Sequence, residues 1–323
     1  MVKFLLIVVI SLVLLAVNIT VSSKSSEEVP ITRAPHCKTR CGDLKIPFPF
    51  GIGSGCSIDD ELFEIVCNKS TTPHTPFLRK LEDQVLDISI EGTFRVTNPI
   101  TSQNCTGISR SETPDKAINL TGSPFVFSER RNRFNAVSCG LFAYIESTIN
   151  GSFVHAGCTS ICSLDDKNML VSSTTEKKNR CCGLDCCHTT IPSYTNAFKI
   201  NFTNDDFTNV DNIDMKGKLD GCKYAFVSDQ SWLHDNSTAV LMPGVLNWPH
   251  VPVVLNWDLP HNSHYVRSLE KKLTSAILSS TVVCNITQSR STRHESRFFC
   301  SCRKGYEGNP YLPTGCCQGK VVS

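Results

Sequence analysis

The chain contains 18 cysteines. A cysteine can form a disulfide, ligate a metal ion or act as a nucleophile, and the cellular compartment largely decides which. Lys3, an apolar run over residues 4–17 and small polar residues ending at Ser23 have the order of a secretory signal peptide, predicted at residues 1–23. Thiols are oxidised in that pathway, so disulfides are expected. The cysteines assigned to disulfides are Cys37, Cys41, Cys56, Cys67, Cys105, Cys139, Cys158, Cys162, Cys181, Cys182, Cys186, Cys187, Cys222, Cys284, Cys300, Cys302 and Cys316.

One dense cysteine group also resembles a zinc-binding motif, because a histidine follows it directly. The group consists of Cys181, Cys182, Cys186, Cys187 and His188. Oxidising conditions favour disulfides over zinc, so no metal or other cofactor is predicted. Adjacent cysteines seldom pair with each other, and each should therefore reach a different partner. Cys158 and Cys162 are candidates, although the full connectivity does not follow from sequence.

Seven Asn-x-Ser/Thr acceptors are spread over the predicted mature chain, which suits a secreted glycoprotein. They predict N-glycosylation at Asn68, Asn104, Asn119, Asn150, Asn201, Asn236 and Asn285. Acceptor sites of this kind normally lie on the surface, and occupancy requires passage through the secretory pathway. The sequons therefore support the same compartment as the signal peptide.

Basic residues gather around the first cysteines and provide the candidate ligand-binding group. Its members are Arg33, Lys38, Arg40, Lys45 and Arg79. The formal net charge is only +2, so the chain has no overall charge suited to nucleic acid, and an anionic partner must be met locally. A solvated surface explains such a group as well as an anion-binding groove does. An aromatic platform at Pro47-Phe48-Pro49-Phe50 is a second candidate, against the simpler interpretation that these rings are buried.

Catalysis has no support in the sequence. The sequence contains no nucleophile elbow, zinc-protease helix or kinase signature. Paired acids at 59–60, 165–166 and 205–206 could serve a glycosidase, but aspartate is also favoured in turns, and the turn is the preferred interpretation. The chain is predicted not to be an enzyme.

Short β-branched and aromatic segments between turn residues predict a mainly β, disulfide-rich fold with short antiparallel sheets. The predicted strands include 123–128, 140–147, 197–202 and 222–228. Residues 85–96 are predicted as one strand that buries Leu86, Ile88 and Ile90. The long helical candidate is 264–280, where apolar residues recur near helical spacing. No segment after the signal reaches membrane-spanning length, so a membrane partner is expected only in a longer form.

Changes in composition and cysteine spacing predict the domain boundaries. A polar leader at 24–36 follows the signal. A first cysteine-rich domain is predicted at 37–107 and a second at 108–260. A linker and a third cysteine-containing segment follow at 261–316, and residues 317–323 form a tail.

Long multi-cysteine motifs resemble the extracellular part of plant wall-associated receptor kinases. Cys37-x3-Cys41-Gly-Asp-Leu-Lys-Ile-Pro-Phe-Pro-Phe-Gly-Ile-Gly, then Gly55-Cys56 and FEIVC, is similar to their galacturonan-binding module. SCGLFAYI, GCTSIC, CCGLDCCHTTIP and VPVVLNWDL resemble the cysteine-rich domain that follows it. Cys300-Ser-Cys302, GYEG and Cys316 resemble half of an EGF-like module. In the family a calcium-binding EGF module, a membrane helix and a kinase would follow.

The resemblance implies binding of pectin, as de-esterified homogalacturonan or oligogalacturonides, in the cell wall or at the outer face of the plasma membrane. It places an anion-binding groove on a par with the solvated-surface interpretation of the basic group around the first cysteines. The alternative is a secreted regulatory or structural protein that pairs with receptor ectodomains and lacks carbohydrate affinity. A wall hydrolase is disfavoured because the catalytic motifs are missing.

Overall fold

The computed structural model describes residues 35–105, 118–138, 140–149, 151–161, 181, 183, 186–204, 222–236, 248–261, 263–273, 280–288, 296–312 and 315–318. These residues belong to the unit Ile31–Ser323. Several predicted features also fall outside the described residues. They are the signal peptide, residues 24–34 of the leader with Arg33, Cys139, Asn150, Cys162, the acidic pairs at 165–166 and 205–206, Cys182, and residues 319–323 of the tail.

Strands dominate the described residues, which confirms the predicted mainly β class. They are β1 Arg40–Cys41, β2 Leu44–Lys45, β3 Gly51–Ile52, β4 Glu64–Asn68, β5 Thr75–Leu78, β6 Val85–Ser89, β7 Thr93–Pro99, β8 Thr101–Gln103, β9 Phe125–Phe127, β10 Asn132–Val137, β11 Leu141–Ile149, β12 Ser152–Ser160, β13 Cys186–Thr189, β14 Lys199–Asn204, β15 Lys223–Asp229, β16 His250–Trp257, β17 Leu259–Pro260, β18 Val282–Gln288, β19 Ser296–Cys302, β20 Tyr306–Gly308 and β21 Cys316–Gln318. The described helices are α1 Gln230–Asp235, after β15, and α2 His264–Leu273, after β17.

The strands form several small sheets instead of one large one. Two have four strands, in the orders β13-β10-β15-β8 and β6-β7-β16-β9. Three have three strands, in the orders β12-β11-β14, β17-β19-β18 and β3-β4-β5, and two-stranded pairs are formed by β1-β2 and β20-β21. Among these described pairings β3–β4 is parallel and the others are antiparallel. The predicted short antiparallel sheets are therefore present.

Aromatic rings form the centre of the main hydrophobic core. The Phe50 ring centroid lies 5.1 Å from that of Phe63, 5.6 Å from that of Phe94 and 5.6 Å from that of Trp257. The same core includes Tyr311, so all three predicted cysteine-rich segments contribute side chains to it. Such shared burial couples the segments energetically, and the boundaries at 107 and 260 stay predictions.

The segment 85–96 is a hairpin, not the single strand that its alternating pattern predicted. β6 and β7 pair antiparallel, and Gly92 lies between them with a φ of +87°. A bulge in the register between Val85 and Asp87 shifts the alternation there, so Val85 is buried and Leu86 is exposed, whereas Ile88 packs against the core as predicted. A pattern of alternation cannot show a bulge, because the extra residue shifts the phase without changing composition.

Helix α2 begins at the predicted residue, His264, and is described to Leu273. Val266 and Leu269 enter the core, while the Tyr265 hydroxyl donates to the backbone carbonyl of Tyr311 at 2.5 Å. Residues 274–279 of the predicted helix lie outside the described residues. This packing fixes the helix against the C-terminal cysteine segment.

Seven disulfides link described cysteines, in agreement with the predicted disulfide-bonded character of the chain. They are Cys37–Cys56, Cys41–Cys67, Cys105–Cys222, Cys158–Cys187, Cys181–Cys186, Cys284–Cys300 and Cys302–Cys316. Neighbouring Cys186 and Cys187 reach different partners, as their adjacency predicted. Cys105, which the sequence grouped with the first four cysteines, instead closes a loop to Cys222, because β8 pairs with β15 and brings the two together.

Candidate functional site

The candidate site is the β1–β2 hairpin and the residues just before it, which together carry three of the five predicted ligand-binding residues. Two disulfides, Cys37–Cys56 and Cys41–Cys67, fasten the hairpin to the loop after β3 and to β4. Its turn contains Gly42, with a φ of +55°, and a Cβ there would lie 2.3 Å from the carbonyl oxygen of His74. The close approach requires glycine, so the turn is held against the loop that precedes β5.

Lys38, Arg40 and Lys45 all have exposed side chains on this rigid segment. Arg40 and Lys45 are direct cross-strand partners, and Lys38 forms a bridge with Ile52 of β3 just before β1. Opposite residues of an antiparallel pair share a face and have Cβ atoms about 4.5–5.5 Å apart. The structure therefore brings Arg40 and Lys45 together.

Like charges opposite each other destabilise a strand pair. The Arg40 guanidinium donates to the backbone carbonyl of Asp43 at 2.7 Å, and a carbonyl does not neutralise its charge. Within the described parts of the chain, neither Arg40 nor Lys45 belongs to an ion pair. An anion bound between the two side chains would relieve their repulsion.

Arg79 has a different environment from the hairpin cations. Its guanidinium binds both carboxylate oxygens of Glu64, with Nε–Oε2 at 2.6 Å and Nη2–Oε1 at 2.8 Å. Glu64 is buried, whereas the Arg79 side chain is 55% exposed. Bidentate pairing holds both groups and raises the pKa of Arg79, through the hydrogen bond and the charge of Glu64. Sequence reasoning missed Glu64, since no local signal connects residues 15 positions apart.

The acidic pair at 59–60 organises a loop. Asp59 Oδ1 accepts from the backbone amides of Glu61 and Leu62 at 2.9 Å and 3.1 Å. Burial would raise the pKa of Asp60, but hydrogen bonds from the Gly55 amide and from Ser57 and Ser54 outweigh it and lower that pKa. An ionised, fully engaged carboxylate does not serve as a general acid, so the turn interpretation holds here.

The aromatic platform at Pro47–Phe50 is excluded as a binding surface, because both rings are inside the protein. Phe48 is 5% exposed and Phe50 is fully buried. Phe48 packs on Tyr265 with ring centroids 5.6 Å apart. A sugar ring could not reach either face without opening the core.

The zinc interpretation fails for the described thiols of the dense cysteine group. Cys181 is bonded to Cys186 and Cys187 to Cys158, so three of its four cysteines are consumed, and Cys182 lies outside the described residues. His36 lies beside Cys37 and Cys56, but those two sulfurs are bonded to each other. A disulfide sulfur is not the thiolate that binds zinc.

The described sequon asparagines lie on strands and turns near the surface. Asn104, Asn119 and Asn285 are exposed, and Asn68, Asn201 and Asn236 are half-buried. The side chain of Asn236 donates to the Trp232 carbonyl at the end of α1, at 2.9 Å. Asn201 lies in β14, directly opposite Tyr144 of β11. N-glycosylation at these positions stays a prediction.

Residues 37–98, which include the hairpin and Arg79, match the family described as wall-associated receptor kinase galacturonan-binding. The chain is homologous to wall-associated receptor kinases over most of its length, in their ectodomain region. Wall-associated receptor kinase-like 6 of Arabidopsis thaliana is 30% identical over 312 residues, covering 88% of this chain and 45% of that protein.

Two further relatives from Arabidopsis thaliana show the same partial coverage. Wall-associated receptor kinase-like 10 is 27% identical over 89% of this chain and 39% of its own length. Wall-associated receptor kinase 2 is 27% identical over 87% of this chain and 34% of its own length. The chain thus spans less than half the length of these relatives, and its match to their extracellular region gives no indication of a catalytic function. No solved structure matches it significantly.

Among the described residues, no helix is long and apolar enough to cross a membrane.

Proposed function

We propose that this chain is a secreted, N-glycosylated ectodomain that binds de-esterified pectin, or oligogalacturonides derived from it, in the plant cell wall. The contact is non-covalent and uses Lys38, Arg40 and Lys45, with Arg33 preceding them in sequence. Arg79 acts mainly by holding Glu64. The observation that carries the proposal is the exposed Arg40–Lys45 pair, which lies within the galacturonan-binding match.

The chemistry of the ligand suits this surface. Polygalacturonate presents one carboxylate per sugar along a stiff chain, so successive carboxylates can meet successive cations. Arg40 can bind a carboxylate through two parallel hydrogen bonds, and Lys45 acts as a point charge beside it. Each exposed contact contributes about 0.2–1 kcal/mol, so useful affinity requires several contacts along the polymer.

Retention on immobilised polygalacturonate tests the proposal. Changing Lys38, Arg40 and Lys45 together to Gln should lower retention strongly, because it removes three charges from one surface. The matched control changes Arg130, Arg131 and Lys304 to Gln, which removes the same total charge from exposed positions outside residues 37–98. That control should bind like the parent.

Two conditions test whether the binding depends on charge. Added salt should weaken retention, since exposed charges are screened over about 8–10 Å at physiological ionic strength. Methyl-esterified pectin should bind less, because esterification removes the carboxylate charge. If both triple variants were retained equally, the assignment of the hairpin as the binding site would be wrong. If the parent protein were not retained at all, an ectodomain that pairs with other proteins would be favoured.

A further inference from the structure

An aromatic face covers part of the outer surface of the β12-β11-β14 sheet, well outside residues 37–98. Leu141, Ala143 and Ile145 of β11 are buried, so the intervening side chains point away from the core. Those outward residues include Phe142 and Tyr144, whose rings stack with centroids 5.5 Å apart and planes inclined by 25°. The two rings together form an apolar patch on this face.

Neighbouring residues hold these rings in place. The cross-strand partner of Tyr144 on β12 is Gly157, and a Cβ there would lie 2.7 Å from the Tyr144 Cβ and 3.2 Å from Cε2 of Phe142. Gly157 therefore leaves room for the two rings, because a larger residue there would clash with them. On the same side, His155 packs against Tyr144 with centroids 5.8 Å apart. Rings fixed in this way lose little entropy when something packs on them.

A sequon is located on this same face. Asn201 is the direct partner of Tyr144 on β14, and Thr203 is the partner of Phe142, so acceptor and hydroxyl residue both lie beside the rings. The Asn201 side-chain nitrogen lies 3.5 Å from Oε2 of Glu146, also on the outer face. The intervening Phe202 points inward and packs against the core. A sugar attached to Asn201 Nδ2 therefore starts on the same face as the Tyr144 ring, on the neighbouring strand.

We propose that the N-linked glycan of Asn201 packs on the Phe142–Tyr144 face and is held there as part of the folded surface. The C–H bonds on one face of an N-acetylglucosamine ring are apolar, and they pack favourably on the negative face of an aromatic ring. Directly opposite residues have Cβ atoms only about 5 Å apart, so the first sugars can reach Tyr144. The inference rests on secretory glycosylation of the chain and is independent of pectin binding.

Release of the glycan from the folded protein tests this contact. The full chain is produced in cells that add oligomannose glycans and is treated with endoglycosidase H without denaturation. Glycopeptide mass spectrometry then follows release at Asn201 and, as an internal reference, at Asn119, which is exposed and outside any strand. We expect release at Asn201 to be at least about threefold slower than at Asn119, in line with the strength of aromatic contacts. After unfolding and reduction the two rates should converge.

Substitutions locate the protection. Tyr144→Thr removes the ring at a strand position and should speed release at Asn201 about threefold, without changing release at Asn119. Phe153→Ser is the matched control, because Phe153 is a 71% exposed ring of β12 that lies opposite Thr148, not beside Asn201. It should leave both rates unchanged.

Three outcomes overturn the proposal. They are an unoccupied Asn201, equal release rates at the two sites in the folded parent, or protection that survives Tyr144→Thr. If Tyr144→Thr fails to fold, the comparison of Asn201 with Asn119 in the parent, before and after unfolding, still decides.

Discussion

Arg40 and Lys45 lie directly opposite each other in the β1–β2 hairpin, so two like charges share one exposed face. This arrangement costs stability in the free protein and favours a bound anion. Changing Arg40 to Gln should therefore weaken retention on polygalacturonate by about 0.2–1 kcal/mol while leaving thermal stability unchanged or slightly higher. Parallel binding and thermal unfolding measurements check both effects. Loss of stability together with binding would show that Arg40 supports the fold instead.

Arg79 should behave in the opposite way. Removing its guanidinium leaves the buried Glu64 carboxylate without the partner that now binds both oxygens. Arg79→Gln should therefore lower the unfolding midpoint, and Glu64→Gln in the same chain should restore part of it, because the unpaired charge is gone. A double-mutant cycle measures this coupling. Additive losses would mean that the pair contributes little.

The buried Phe50 ring provides a test of the excluded sugar platform. It contacts four other aromatic rings, and Phe50→Ala should destabilise the fold by about 3–5 kcal/mol through the cavity that it leaves. Chemical denaturation measures the loss. Any polygalacturonate binding that remains in the folded fraction should equal that of the parent. Normal stability with selective loss of binding would restore the platform interpretation.

Stability should fall as pH rises from about 4 to 7. Burial raises the pKa of Asp258 to about 6, against the opposing effect of Arg297, and burial followed by the charge of Glu82 raises the pKa of Asp83 to about 7. A carboxyl with a raised folded-state pKa binds its proton more tightly when folded, so the stabilisation is present at low pH and is lost as pH passes the folded pKa. For Asp258 each pKa unit corresponds to about 1.4 kcal/mol, which gives a loss of up to about 3 kcal/mol.

Thermal unfolding midpoints measured across this pH range test the expected slope. Asp83→Asn should make the fall in the unfolding midpoint less steep toward pH 7, because the amide does not titrate. A midpoint that rises between pH 4 and 7 would contradict the assignment.

The sequence predicted the disulfide bonding and the individual strands of this protein better than it predicted which strands, cysteines and charged residues pair with each other. Disulfide bonding and the strand at 222–228 follow from local composition and cysteine count, and the structure has both. The Glu64–Arg79 pair and the link from Cys105 to Cys222 depend on which strands become neighbours, which local patterns do not encode. The exposed hairpin residues were found from charge clustering, but their opposition required the β1–β2 register.

Gly92 is the residue that turned the predicted single strand at 85–96 into a hairpin, and it provides a last test. It has a φ of +87°, and a Cβ there would lie 2.8 Å from Cε2 of Phe299 and 3.4 Å from the Trp257 carbonyl oxygen. Gly92→Ala should therefore combine backbone strain with a clash in the aromatic core and cost about 1–3 kcal/mol. Gly122 has a similar φ of +74° with nothing within 4 Å, so Gly122→Ala isolates the backbone contribution. Denaturant unfolding of both variants should show the larger loss for Gly92→Ala, and equal losses would mean that Phe299 moves aside without cost.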